Sequence, residues 1–200
     1  MLIVGFDLDM TLVDSRPGIR ASMSALAWET GVPIDVDVVL GRLGPKLESE
    51  LAQWFAADQV DLLAARYREL YWDNCVGDGT HLLPGARASV DAVRARDGQV
   101  IVVTAKVAPA ALRCLSTVDI EADAVVGHVH GDEKRDALRD HGVGIYVGDT
   151  VADVRAAIDA SALAVGVTTG PDDARRLVGA EADVVLDSLT EFPAWLATVT

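Results

Sequence analysis

The chain opens on a short unbroken apolar run, Leu2-Ile3-Val4-Gly5-Phe6, that stops at Asp7. A continuous run of this length marks a strand covered on both faces, because a strand with one wet face alternates. Similar runs recur at 100–103, 124–126, 145–147, 162–167 and 184–186. Between the later runs the apolar positions switch to helical spacing. The segment 84–96 repeats at Ala86, Val90 and Val93, and shorter helical patterns cover 109–115, 133–139, 149–160 and 172–178. From Pro84 onward the chain alternates helix and strand. That order predicts an α/β fold, a mostly parallel sheet with helices on both faces.

Residues 16–80 follow a different pattern, with no convincing strand. Helices are expected over 19–28, 47–55 and 59–75, with Ile19, Met23 and Leu26 on the apolar face of the first. Three of the four tryptophans, Trp28, Trp54 and Trp72, lie here, and core packing is the expected use of most of these aromatics. The loop Gly41-Arg-Leu-Gly-Pro45 interrupts the helices, and Val76-Gly-Asp-Gly-Thr80 marks the return. The expected organisation is a core domain of residues 1–15 and 81–200, carrying an all-helical insertion, 16–80. Residues 12–16 and 77–81 would be its hinges.

Composition narrows the function classes. The 200 residues include 31 acids and 17 bases, a formal net charge of -14. That surface argues against nucleic acid or anionic membrane as a partner, since a phosphate backbone needs a basic face. Only three lysines occur, Lys46, Lys106 and Lys134. Cys75 and Cys114 stand in unrelated contexts, neither a disulfide framework nor a zinc spacing, which fits a reducing cytoplasm. The N-terminal apolar run has no basic flank, and no run approaches the ~20 apolar residues of a spanning helix. No membrane association is expected, and either a monomer or a homodimer is compatible with the chain.

Candidate chemistry gathers at strand ends, where open parallel sheets bind ligands. Phe6-Asp-Leu-Asp-Met-Thr-Leu-Val-Asp-Ser15 follows the first run. In an extended strand Asp7 and Asp9 would point the same way, and a divalent cation between them would relieve their repulsion. A polar turn after a strand accounts for the pair as well. In Tyr146-Val-Gly-Asp-Thr-Val-Ala-Asp153, Asp149 and Asp153 share a face of a first helical turn. A cap and a first-turn acid explain each of them singly. Val102-Val-Thr-Ala-Lys106 ends a third strand on Thr104, either a phosphate contact or an ordinary strand-terminal Thr.

An Asp-x-Asp-x-Thr motif, a strand-end Thr, a Lys and a late Gly-Asp-x-x-x-Asp, in that order, resemble the haloacid dehalogenase-like superfamily. The helical insertion is similar to its type-one cap. Within it the chain most resembles phosphoglycolate-phosphatase-like members, through Phe-Asp-Leu-Asp-x-Thr-Leu-Val-Asp-Ser, Leu-Pro-Gly, Val-Thr-x-Lys and Val-Gly-Asp-Thr-x-x-Asp. Met10 departs from the family, where Gly is usual. The resemblance implies a Rossmann-like core and a Mg²⁺-dependent phosphatase of a small phosphate ester, with phosphoglycolate as the leading substrate. It gives Asp7 the nucleophile's role and Asp9 that of general acid. It assigns Mg²⁺ to Asp7, Asp9 (through its backbone carbonyl), Asp149 and Asp153. Thr104 would hold the phosphoryl group and Lys134 would neutralise it, with Lys106 as an outer phosphate contact. Thr11 and Ala105 would also touch substrate, and Arg42 and Lys46 are specificity candidates in the cap. A sugar phosphomutase, a nucleotide phosphatase and a phosphonate hydrolase share this fold. A non-catalytic binding module is the rival of another class, countered by the full acidic set.

Overall fold

A computed structural model describes residues 1–199. The chain begins with β1 (Ile3–Phe6) and β2 (Val13–Asp14). Four helices follow, α1 (Arg16–Thr30), α2 (Val36–Leu40), α3 (Leu47–Leu51) and α4 (Val60–Asn74). Then come β3 (His81–Leu82), α5 (Ala86–Arg94), β4 (Gln99–Val103), α6 (Ala108–Thr117), β5 (Ala124–Val126) and α7 (Asp132–Asp140). The chain finishes with β6 (Ile145–Gly148), α8 (Val151–Asp159), β7 (Leu163–Val167), α9 (Ala174–Gly179), β8 (Val184–Leu186) and α10 (Phe192–Leu196).

Six strands form one parallel sheet in the order β5-β4-β1-β6-β7-β8. The apolar runs become its strands because both faces are covered. Val4, Phe6, Val100, Val102 and Val147 pack on one side with α5, α6 and α10, while Ile101, Val103, Tyr146 and Ala164 pack on the other with α7, α8 and α9. Successive side chains point to opposite faces, so each run feeds both layers. This is the expected α/β Rossmann-like arrangement.

Register places the site. Phe6 pairs with Val102 of β4 and with Val147 of β6. The residues just beyond these strands, Asp7, Thr104 and Asp149, therefore emerge along one edge. From β1 the chain continues to β4 on one side and later to β6 on the other, a topological switch point.

In the segment 16–80, α1 packs on α4. Ile19, Met23 and Leu26 meet a stripe of Val60, Ala64, Tyr67 and Tyr71, spaced by three and four residues. The tyrosines are core here, but Trp28 is 86% exposed and Trp72 is also exposed, unlike the packing expected of them. Trp28 lies two residues past Leu26, on the opposite side of α1. Two short helices were not anticipated from the pattern. Asp35 starts α2, its carboxylate accepting from the Asp37 and Val38 amides at 3.1 and 3.2 Å. Phe192 of α10 sets its ring edgewise on Phe6, 5.5 Å between centroids. At the two expected hinges the chain forms an antiparallel pair, β2 with β3, Val13 opposite Leu82 and Asp14 opposite His81. Among the described residues no helix is long and apolar enough to cross a membrane.

Candidate active site

β1 ends at Phe6, and the chain folds at once into a tight loop. The Leu12 and Val13 amides both donate to the Leu8 carbonyl at 3.0 Å, and the Met10 amide donates to Val13 at 2.7 Å. Met10 sits at φ 61°, in the left-handed region that glycine adopts freely. This is the position where the chain departs from its resemblance to the superfamily. The Thr169 hydroxyl donates to the Met10 carbonyl at 2.5 Å and helps hold the strained residue.

The loop separates the two carboxylates that the spacing placed side by side. Asp7 faces Lys134, Asp149 and Asp153, while Asp9 pairs with Ser15 and Lys106. Asp9 does not join Asp7 in the acidic cluster, because the chain turns into the loop just after Asp7. Asp7 meets Asp149 and Asp153 instead: one carboxylate oxygen of each lies within 4.8 Å of the others, and all three residues are buried.

The Lys134 ammonium, on α7, donates to Asp153 at 2.6 Å and to Asp7 at 3.1 Å. Asp153 also accepts from the Thr150 hydroxyl at 2.6 Å and the Thr150 amide at 3.1 Å, a capping box that opens α8. Burial opposes the charge on Asp153, yet Lys134 and the Thr150 hydrogen bonds outweigh it and hold that carboxyl below its usual range. Burial likewise opposes the Lys134 charge, and Asp153 and Asp7 outweigh it and push its pKa well up. Asp7 comes out differently. Burial pushes it up to about 7 against the pull of Lys134, with Asp153 and Asp9 adding to the rise. Asp149 is pushed well up by burial and then by Asp7 and Asp153, although the Thr11 hydroxyl donates to it at 2.9 Å.

Three buried carboxylates against one ammonium leave negative charge that the chain itself does not balance. All the donors are oxygens, which suits a hard divalent cation. The fit is close elsewhere too. A Cβ on Gly170 would lie 1.7 Å from the Asp149 carboxylate, so only glycine lets the backbone approach there.

Asp9 belongs to a second group. Its carboxylate accepts from the Ser15 hydroxyl at 2.5 Å and pairs with the Lys106 ammonium at 3.3 Å. That ammonium also lies 4.3 Å from the centre of the Tyr71 ring on α4. Thr104 is buried at the end of β4, its hydroxyl accepting from the Lys106 amide at 3.3 Å. Asp7, Asp9, Thr104, Ala105 and Lys106 line one end of a pocket that encloses about 100 Å³. Residues of α1, α2 and α4 and of the 41–47 loop close the other end.

The remaining expected residues fall less neatly. Thr11 gives its hydroxyl to Asp149 and is fully buried beneath the pocket. Arg42 lines the pocket but forms a two-pronged pair with Glu50, both bonds 2.7 Å. Lys46 does not line it and pairs with Glu133 on α7. Sequence reasoning gave no role to Gly170, Thr169, Tyr146 or Glu50. Thr169-Gly170, right after β7, was the one legible signal, a further strand end on the same edge of the sheet.

Comparison with known proteins agrees with this geometry. A family model described as haloacid dehalogenase-like hydrolase matches residues 1–161. A phosphoglycolate phosphatase of Yersinia pestis is 27% identical over 203 residues, covering 92% of this chain and 88% of that one. A haloacid dehalogenase-like family hydrolase from Streptococcus pneumoniae superposes with a TM-score of 0.84 at 25% identity, covering 98% of each chain. A β-phosphoglucomutase from Clostridium difficile shares the fold, with a TM-score of 0.77 at 18% identity over 96% of this chain and 93% of its own. The chain belongs to the haloacid dehalogenase-like hydrolase family.

Proposed function

We propose that the protein is a Mg²⁺-dependent phosphatase that hydrolyses a small phosphomonoester through an aspartyl-phosphate on Asp7. The observation that carries this reading is the division of labour between two carboxylates two positions apart. Asp7 lies with Lys134, Asp149 and Asp153, and Asp9 lies with Ser15 and Lys106. Separate environments suit a nucleophile and an acid–base group.

Asp7, Asp149 and Asp153 would hold the cation, with the Asp9 backbone carbonyl contributing from the loop. When bound, the metal supplies charge neutralisation and orientation of the phosphoryl oxygens. The chain's own groups do the rest. An Asp7 carboxylate oxygen attacks phosphorus and the ester oxygen leaves. The Asp9 carboxyl gives that oxygen its proton, then takes one from a water whose oxygen attacks phosphorus and frees Asp7. Ser15 and Lys106 orient Asp9 for both transfers. Thr104 and Lys134 bind and balance the transferring group. The helices of 16–80 act as a cap that keeps water out until the ester is in place.

The experiment is phosphate release from a panel of phosphomonoesters with Mg²⁺. Wild-type protein is expected to turn over at least one ester. Asp7→Asn is expected to lose about 10³-fold or more while keeping its melting temperature. Equal activity of Asp7→Asn and wild type sinks the proposal. Steady phosphate release also separates a phosphatase from a mutase, which keeps its phosphoenzyme from water.

A further inference from the structure

We infer that the ester taken by this site carries an uncharged, apolar leaving alcohol, aryl or branched alkyl, and not the carboxylated one of phosphoglycolate. The inference rests on the phosphatase reading above and narrows its substrate class. It comes from the half of the pocket that the reacting groups do not use.

That half is walled by Ile19, Met23, Val39, Tyr67 and Ala110, all buried. Tyr67 and Tyr71 lie nearly parallel, 5.8 Å between ring centres, and both line the pocket. A two-carbon acid would set no apolar surface against these walls.

Recognition of a carboxylate needs a cation that is free to meet it. Three cations line the pocket, Arg42, Arg68 and Lys106, and each already faces a carboxylate of this chain. Arg42 is held by Glu50 in two bonds of 2.7 Å. Glu50 is fixed in turn, accepting from the Trp54 indole N–H at 2.8 Å, and it lines the pocket itself. Arg68 pairs with Glu48, and Lys106 with Asp9 at 3.3 Å. Outside the pocket Lys46, the remaining cap lysine, pairs with Glu133. A carboxylated ester would have to displace Glu50 and break its tryptophan bond, or lie beside it as a like charge. Either route disfavours the acid, by breaking an existing pair or by setting two like charges side by side. An apolar group meets no such cost and buries surface against the wall.

The test compares benzyl phosphate with phosphoglycolate, two esters of alkyl alcohols, so chemistry contributes little to the difference. With Mg²⁺ present, kcat/KM for benzyl phosphate is expected to exceed that for phosphoglycolate by about tenfold or more. Glu50→Gln removes the charge that occupies Arg42, and is expected to shift the ratio toward phosphoglycolate. A binding readout stands beside activity: benzylphosphonate is expected to raise the melting temperature more than phosphonoacetate at equal concentration. Phosphoglycolate hydrolysed as well as or better than benzyl phosphate overturns the inference and leaves the phosphatase reading intact. A larger shift with phosphonoacetate overturns it too. If no ester releases phosphate and Asp7→Asn matches wild type, the phosphatase reading fails, and the phosphonate pair still decides which chemistry the pocket prefers.

Discussion

Removing the Lys134 ammonium leaves Asp7 and Asp153 without their shared cation. Breaking a buried pair from one side costs about 3 kcal/mol or more. Lys134→Met is therefore expected to lower the unfolding free energy by about that amount in metal-free buffer at pH 8, read by denaturant titration. A loss below about 1 kcal/mol there would mean that the ammonium is not balancing these carboxylates. The pKa of Asp7, near 7, carries a second expectation. A carboxyl raised in the folded state binds its proton more tightly there than in the unfolded chain. Through Asp7, metal-free protein gains stability in acid that is lost as pH rises from the ordinary Asp range toward 7. Mg²⁺ competes with the protons on Asp7 and Asp149, both held up by burial, so its affinity should climb as pH rises through 7. Melting curves with and without Mg²⁺ across pH 5–9 check both signs. The direction of Asp9 was not legible in the sequence. Period-two alternation holds only while the strand continues, and β1 ends at Phe6, where the chain enters a tight loop. The pairing of Arg42 with Glu50 was hidden for another reason. Which of 31 acids meets a given arginine depends on packing, not on spacing alone.

At the level of elements, the strands of the six-stranded sheet read directly from the chain because burial on both faces leaves few polar positions in them. The long helices α1 and α4 read from their apolar stripes. The helices α2 and α10 are five residues each, too short for a stripe to repeat. The β2–β3 pair spans two residues on each strand and leaves no periodic trace. The order of strand ends did carry the site, since Asp7, Thr104 and Asp149 all follow apolar runs. The loop after β7 is where elements meet most closely. A Cβ at Gly170 would overlap the Asp149 carboxylate at 1.7 Å. Gly170→Ala is expected to turn that carboxylate aside and weaken Mg²⁺ binding by about tenfold or more, with a small change in melting temperature. Calorimetric titration with Mg²⁺ checks it, and unchanged affinity would show that Asp149 is not a ligand.

Across the whole molecule, one buried apolar cluster runs from the sheet residues Val4 and Phe6 through Met23, Leu26 and Tyr71 of the helical segment. Polar contacts cross the same seam. Lys46 meets Glu133, the Tyr71 hydroxyl lies 3.3 Å from the Cys114 sulfur, and Arg113 stacks on Trp72 at 4.3 Å. The solvent-facing Lys46–Glu133 and Arg113–Trp72 pairs add little stability each, so the shared apolar surface sets the coupling. Heating is expected to give a single calorimetric transition whose van't Hoff and calorimetric enthalpies agree. Two resolved peaks would show that the helical segment and the sheet melt separately. The net charge of -14 fits this picture, with the few lysines drawn into pairs and a surface left to the acids. The β2–β3 pair has a kinematic consequence. A body joined to another by two well-separated tethers is locked, and one joined by a single tether tumbles. Here both covalent links run antiparallel, side by side, at a strand spacing of about 4.8 Å. Together they act as a single narrow strap, stiff against twist and shear and free to bend. If the helical segment closes over the site as proposed, its expected motion is one swing about the strap along a single arc.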